Sequence, residues 1–423
     1  MHFNLVNGSD FYCSLWRFLN DLTKDYIGTM TNVQASHGEL VHWRCFGGLF
    51  NFAFVADPTV NRELFVRNND ALGKPLSQIQ TFLYAAGNSV ATAHGNEWRT
   101  KRREANNLFT RNIVEASCAG QVDVIRNFVK THTAQSQDAI LLARRMAALT
   151  SSRSILGRVI SVVEADVQIA FSKAASDRFN AESVHLFARP NWILAPWRKD
   201  LNRQKKKVFP LVQEAIDDLR SSDAPNDGLM NYYVNGDFIT SSDEEMLTIL
   251  VGLLMGAQDN VAAATAWLFA FLAHHPALQT KIRNEIGNIN GEAQELNKCV
   301  VLKATILEVL RLRPPAPANQ PRVLLKAVEI ANHTLPKGTY LFNSFFNMHH
   351  NVNTFVEPEK FDPTIFLDGE LEQSPSFVPF GHGPRNCVAQ KLAMQQLVAI
   401  VTGTLQHHQV KTRHDTLLSL IHI

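Results

Sequence analysis

Cys387 lies in the segment Phe380-Gly381-His382-Gly383-Pro384-Arg385-Asn386-Cys387-Val388-Ala389, in which a glycine-rich loop runs into a helix from about Val388. Loop amides and a helix N-terminus lower a thiol pKa and stabilise the thiolate. The two glycines let backbone N–H groups come close to the sulfur. One rigid, hydrogen-bonded thiolate is what a proximal ligand to haem iron requires. Asp259 is the second chemically pointed residue. It stands with Gln258 and Asn260 at the centre of an apolar tract running from Met246 to Ala273, and a buried carboxylate needs a partner. Two further pairs share helix faces: Glu308 with Arg311 at i,i+3, and Trp98 with Arg102 at i,i+4. On an exposed helix such pairs contribute only about 0.2–0.5 kcal/mol, so their meaning depends on the elements around them.

Those elements are mostly helical. Ser241-Ser242-Asp243-Glu244-Glu245 is an N-cap followed by first-turn acids. It opens the long central helix that carries Asp259 and ends before Pro276. A helix over about 298–312 carries Glu308 and Arg311 and stops at Pro314-Pro315. Trp98 and Arg102 lie on a basic helix from Asn96 to Phe109. Helical periodicity also runs through 112–180 and 200–220. Val41 to Phe46 and Leu49 to Val55 flank Gly47-Gly48, a hairpin signal. Short strands are expected around Val323 to Ile330 and Tyr340 to Asn343, then a Pro-rich irregular stretch from Asn351 to Ser376. There is no repeat, low-complexity segment or linker. The expected fold class is mainly α with small β-sheets, in a single domain over 1–423 whose first 40 residues form a segment without a membrane anchor.

Composition narrows the function classes. The 423 residues are 45% hydrophobic and 19% charged, which excludes a disordered chain. A net charge of +2, from 41 basic and 39 acidic residues, argues against a nucleic-acid binder. Cys13, Cys45, Cys118, Cys299 and Cys387 form no CxxC pair, so neither a disulfide framework nor a zinc ribbon is expected. A reducing, cytoplasmic setting fits. The N-terminus has no signal-peptide pattern. Asp259 would be costly inside a bilayer, so the apolar tract reads as a buried core helix and membrane contact is not expected.

From about residue 40 to 410 the sequence resembles the cytochrome P450 family of haem-thiolate enzymes. The signature F-x-x-G-x-R-x-C-x-G is met by Phe380, Gly383, Arg385 and Cys387, with Ala389 in place of the last glycine. The motif E-x-x-R is met by Glu308 and Arg311. The helix pattern [A/G]-G-x-[D/E]-T appears as Gly256-Ala257-Gln258-Asp259-Asn260, with Asn for Thr. In P-E-R-F, Ile365 stands where Arg is expected. The resemblance implies the P450 fold, with haem b between the central helix and the cysteine-bearing loop. It implies Cys387 as the iron ligand and Phe380 and Gly383 in the cofactor-binding loop. Trp98, Arg102, Arg322 and Arg385 match propionate-binding positions, and Glu308 and Arg311 form a structural pair. Asp259 and Asn260 match the residues that deliver protons to bound O2.

The implied activity inserts one oxygen atom from O2 into an apolar or partly apolar small molecule. Electrons would come from a separate ferredoxin or flavodoxin-type partner. Lys101, Arg103 and Lys391 are its candidate docking cations. Candidate pocket walls are Leu83 to Val90, Phe187 to Trp197, Leu253 to Ala257 and Ala316 to Gln320. Two alternatives stay open. Asn260 is also compatible with a reductase-independent enzyme that rearranges or uses peroxides. Ile365 and Ala389 are compatible with a haem-binding sensor or inactive scaffold.

Overall fold

The computed structural model describes residues 4–7, 21, 24–45, 48–132, 138–183, 196–222, 225–236, 242–287, 289, 295 and 297–411. The chain opens with β1 (Asn4–Asn7), α1 (Tyr26–His37), β2 (Leu40–Cys45), β3 (Phe50–Val55) and α2 (Pro58–Arg62). A π-helical turn (Glu63–Arg67) leads to β4 (Leu72–Gly73). The helical body follows: α3 (Leu76–Ala86), α4 (Gly95–Leu108), α5 (Arg111–Ser117), α6 (Gln121–His132), α7 (Ala139–Leu156) and α8 (Val162–Ser183). It continues with α9 (Pro196–Ser221), α10 (Leu229–Asn235), α11 (Asp243–His274), α12 (Pro276–Ile286) and α13 (Val300–Leu312). Strands β5 (Arg322–Leu324), β6 (Val328–Ile330), β7 (His333–Leu335) and β8 (Tyr340–Asn343) precede α14 (Phe345–His349) and α15 (Gln390–Leu405).

The central helix α11 starts where its caps place it. The Ser242 hydroxyl accepts the Glu245 N–H at 3.2 Å, and Asp243, Glu244 and Glu245 fill the first turn. Its 32 residues span roughly 48 Å at 1.5 Å per residue. The first half, from Met246 to Leu254, packs in one apolar cluster with α9 and α10. The second half, from Val261 to Leu272, packs in another with α6, α7, α13 and α15. Gln258, Asp259 and Asn260 fall between them. By length and composition α11 could cross a membrane, but its neighbours here are the helices of the protein's own interior.

The strands form a six-stranded sheet in the order β1-β2-β3-β8-β5-β4 and a separate β6-β7 hairpin. The expected hairpin across Gly47-Gly48 is β2–β3, antiparallel from Leu40↔Val55 to Cys45↔Phe50. The stretch expected as strand from Val323 to Ile330 divides instead. Leu325 donates its N–H to the Ala71 carbonyl, β5 joins the large sheet, and β6 turns through Ala331 and Asn332, both at positive φ (47° and 61°). The long helical region after 112 is broken at Gly120 and Gly157, whose φ values are +75° and +67°. Left-handed backbone of this kind favours glycine and ends helices.

Candidate active site

The cysteine loop is shaped by two left-handed glycines, Gly381 (φ +77°) and Gly383 (φ +76°). A Cβ on Gly383 would lie 2.5 Å from the Phe65 carbonyl oxygen, so the loop sits directly on the π-helical turn. Asn386 donates its N–H to Gly383 at 3.0 Å and Cys387 to Phe380 at 2.8 Å. Ala389, the residue before α15, directs its N–H at the Cys387 sulfur. Cys387 is the exposed member of the described cysteines; Cys45, Cys118 and Cys299 are buried. Solvent reaches its side chain, yet the recess walls are close enough that desolvation raises the thiol pKa, against the Ala389 amide and the Arg102 charge, which lower it. A bound metal cation reverses that balance, because a coordinating thiol is deprotonated outright.

Cations gather beside the sulfur. Arg102 on α4 donates to the Asn386 carbonyl and to Asn386 Oδ1, both at 2.6 Å. This clamps the residue preceding Cys387. Arg385 donates to the Ala93 carbonyl at 3.1 Å, and its guanidinium lies 4.1 Å from the centroid of the buried Trp98 ring. Arg322 on β5 is 7% exposed and donates to the Gln320 carbonyl at 3.2 Å. Burial and the neighbouring Arg385 push its pKa down to about 10. Burial, then Arg102, likewise push Arg385 to about 10. Lys74 completes the group: burial, then Arg322 and Arg385, push it down to about 6. Among the described residues, no carboxylate is one of the charges that shift Lys74, Arg322 or Arg385.

Such crowding of half-buried cations is unfavourable until an anion joins it. A ligand with two carboxylates meets that need, and haem carries two propionates. The residues present therefore fit haem: a recessed sulfur, a cation cluster next to it, and an opening along α11. Gly256 and Asn260 are exposed although they lie mid-helix, and a Cβ on Gly256 would meet nothing within 4 Å.

The structure thus brings Trp98, Arg102, Arg322 and Arg385 together with Cys387, and sets Phe380 and Gly383 in the same loop. Asp259 and Asn260 diverge. Asp259 Oδ2 accepts from Ser176 on α8 at 2.7 Å, and burial raises its pKa. Asn260 Nδ2 reaches back to the Gly256 carbonyl at 3.4 Å. Glu308 and Arg311 are 0% and 1% exposed and paired at 2.7 Å. Arg311 also donates to the carbonyls of His349 (3.1 Å), Pro358 (2.7 Å) and Lys360 (3.1 Å). Glu308 accepts the Asp362 N–H at 2.9 Å. Ile365 instead packs beside the apolar cluster of Ala304, Leu307, Phe355, Phe366 and Phe377. Lys101 is committed to Glu245 at 2.9 Å, whereas Arg103 and Lys391 are exposed. Of the candidate pocket walls, 184–195 lie outside the described residues, Phe187 and Trp192 among them.

A sequence model of the cytochrome P450 family matches residues 14–421. The chain belongs to the cytochrome P450 family. It is a haem-thiolate monooxygenase; P450s bind haem b through a cysteine thiolate. Steroid 17-alpha-hydroxylase/17,20 lyase of Papio cynocephalus is 25% identical over 389 residues, covering 83% of this chain and 76% of that protein. The enzyme of the same name from Cavia porcellus is 25% identical over 408 residues, covering 85% and 79%. Two solved P450 structures share the fold. The retinoic acid-bound cyanobacterial CYP120A1 superposes with a TM-score of 0.75 at 20% identity, covering 92% of this chain and 89% of that one. CYP175A1 from Thermus thermophillus gives 0.75 at 18% identity, covering 96% and 93%.

Lys74 and Asn386 stand with these residues but carry no motif of their own. Lys74 follows the β4–β5 pairing Leu72↔Leu324 and Gly73↔Val323, so the register sets it opposite Arg322 across some 250 residues of chain. Its depressed pKa has a testable consequence. A propionate bound beside it would restore the charged lysine, so haem binding would take up a proton wherever free Lys74 is neutral, above about pH 6. By linkage, haem affinity falls as pH rises through that range. The rate of haem transfer to an acceptor globin should therefore climb with pH, and Lys74→Met should flatten the climb while slowing haem capture at neutral pH. An identical pH profile in the variant would remove Lys74 from the propionate site.

Proposed function

We propose that Cys387 is the thiolate ligand of haem b in a monooxygenase that oxidises an apolar or partly apolar small molecule in the cytoplasm. The observation that carries this reading is the cluster of half-buried Lys74, Arg102 and Arg385 with buried Arg322 against the Cys387 loop, a match for an iron macrocycle bearing two propionates. The two steroid enzymes and the retinoic acid-bound neighbour handle apolar molecules, which supports the substrate class. Electrons come from a separate ferredoxin or flavodoxin-type protein, for which the exposed Arg103 and Lys391 offer positive charge near the cysteine side.

Haem supplies activation of O2, and the chain supplies orientation and protons. Trp98 and Arg385 stack, so that the guanidinium is fixed towards a propionate. Arg102 holds the loop through Asn386 and adds positive charge near the sulfur. The Ala389 amide favours the thiolate. On the opposite wall, burial raises the pKa of Asp259 above the usual carboxylate range, which favours proton uptake at this carboxyl. Asn260 carries donor and acceptor atoms on one amide, and its exposure beside Gly256 supports a role in orienting water or oxygen over the recess.

These roles separate experimentally once a substrate is found by screening for spin-state shifts of the Soret band. Asn260→Ala should lower product formed per NAD(P)H and raise peroxide release several-fold, with electron uptake unchanged. Asp259→Asn should slow turnover itself. Unchanged coupling in Asn260→Ala would remove Asn260 from the relay. The Asn at this position also supports a second reading, a peroxide-rearranging enzyme; product formation from a peroxide with no electron donor would select it over the monooxygenase.

A further inference from the structure

The acid Asp259 is not isolated on α11. Gln168, Ser172 and Ser176 recur every four residues on α8 and form a polar stripe along α11. Gln168 and Ser172 are 2% and 1% exposed. Gln168 bonds Gln258, and exchanges a bond with Ser152 of α7. The Ser172 hydroxyl donates to Gln258 Oε1 at 2.9 Å. These buried bonds fix the rotation of α8 against α11 and leave no polar side-chain atom of Gln258 unpartnered.

Ser176 differs from the rest of the stripe. It is half-buried, its hydroxyl donates to Asp259 Oδ2 at 2.7 Å, and its neighbour Asp177 is exposed and paired with Lys173 at 2.7 Å. The stripe therefore runs from the dry core to the water boundary and ends on the carboxylate. The charges that act on Asp259 are Arg144 on α7, which favours the carboxylate, and Asp177 on α8, which opposes it.

We propose that Ser176 is the positioning residue for Asp259, holding its carboxylate on α8 and passing it protons from solvent. The inference rests on the role given to Asp259 above. The step balances with a solvent proton as the only reactant: hydronium at the water boundary gives a proton to Ser176 Oγ and leaves as water, while the original hydroxyl proton moves to Asp259 Oδ2, so the serine ends as a neutral hydroxyl and the carboxylate as a carboxylic acid. A hydrogen bond donated to a carboxylate favours the charged form, so Ser176 also holds down an acid that burial drives upward. Any displacement of α8 from α11 breaks the bond, which ties proton supply to the packing of these two helices.

The first arm of the test uses the ferric holoenzyme without substrate, and the second uses turnover with a substrate found by the Soret screen. The infrared carboxyl band of Asp259 is identified as the one lost in Asp259→Asn, and is titrated in wild type, Ser176→Ala and Ser176→Thr. Ser176→Ala should shift the titration upward by about one pH unit, a tenfold rise in proton affinity, and Ser176→Thr should restore it. In turnover, Ser176→Ala should increase the solvent isotope effect, again with rescue by Thr. If Ser176→Ala moves neither the titration nor the isotope effect, or if Thr fails as Ala does, the inference is overturned while Asp259 keeps its role. If Asp259→Asn itself leaves turnover unchanged, the role of Asp259 falls, and this inference with it.

Discussion

Arg311→Met should cost about 3–5 kcal/mol, the penalty for stranding a buried charge, and should abolish accumulation of folded holoprotein. The loss exceeds that of an ordinary ion pair for a structural reason. Arg311 is 1% exposed and serves Glu308 together with three carbonyls from the segment 349–360. Its removal strands Glu308, whose pKa burial already raises, and unpins the irregular stretch that leads to the cysteine loop. His349 transmits part of this. Its Nδ1 donates to the Arg311 carbonyl at 3.2 Å and its Nε2 accepts the Val378 N–H at 2.9 Å, two residues before Phe380. Burial pushes its pKa down to about 3, which keeps it neutral in this geometry. Adding Glu308→Leu to Arg311→Met should recover only part of the loss. The stranded acid is gone, but the three carbonyls still lack donors, at about 1–3 kcal/mol for each such group. Thermal denaturation monitored by circular dichroism and by haem release checks this. A fully stable Arg311→Met protein would mean that the pair has no structural role.

The pair also shows what departure from the family pattern does. The sequence places Ile365 where an arginine is expected. In the structure Glu308 obtains its further donor from the Asp362 backbone, and Ile365 sits by an aromatic cluster. A backbone N–H carries no one-letter signature, so this compensation could not be read from residue types.

Other features follow the same division. The α11 cap, the helix carrying Glu308 and Arg311, the β2–β3 hairpin and the cysteine loop are written in local patterns: capping residues, spacing, glycines. Motif spacing likewise singled out Trp98, Arg102 and Arg385, which the fold then gathers. Lys74 and Ser176 were not legible. Lys74 acquires its neighbours through strand register, and Ser176 is one polar residue among many with helical spacing until α8 is docked on α11. Lys101 was legible only as one more basic residue; its partner Glu245 lies 144 residues away. Tertiary pairing made these assignments.

Cys387→Ser carries the other large effect, and it tests the central claim most directly. Among the described cysteines, Cys45, Cys118 and Cys299 are buried, with thiols pushed up to about 11, 12 and 11 by desolvation. None of these three can substitute without rebuilding the core. Among the described cysteines, Cys387 alone combines access, an amide N–H from Ala389 and a guanidinium from Arg102. A serine in its place keeps the loop and its glycine geometry but donates far less electron density to iron. The measurement is the Soret band of the reduced carbonyl complex, recorded on wild type and Cys387→Ser at matched haem content. Wild type should show the red-shifted band of a thiolate ligand, and Cys387→Ser should lose it completely. A red-shifted band that survives in Cys387→Ser would contradict the assignment and move the iron ligand to another residue.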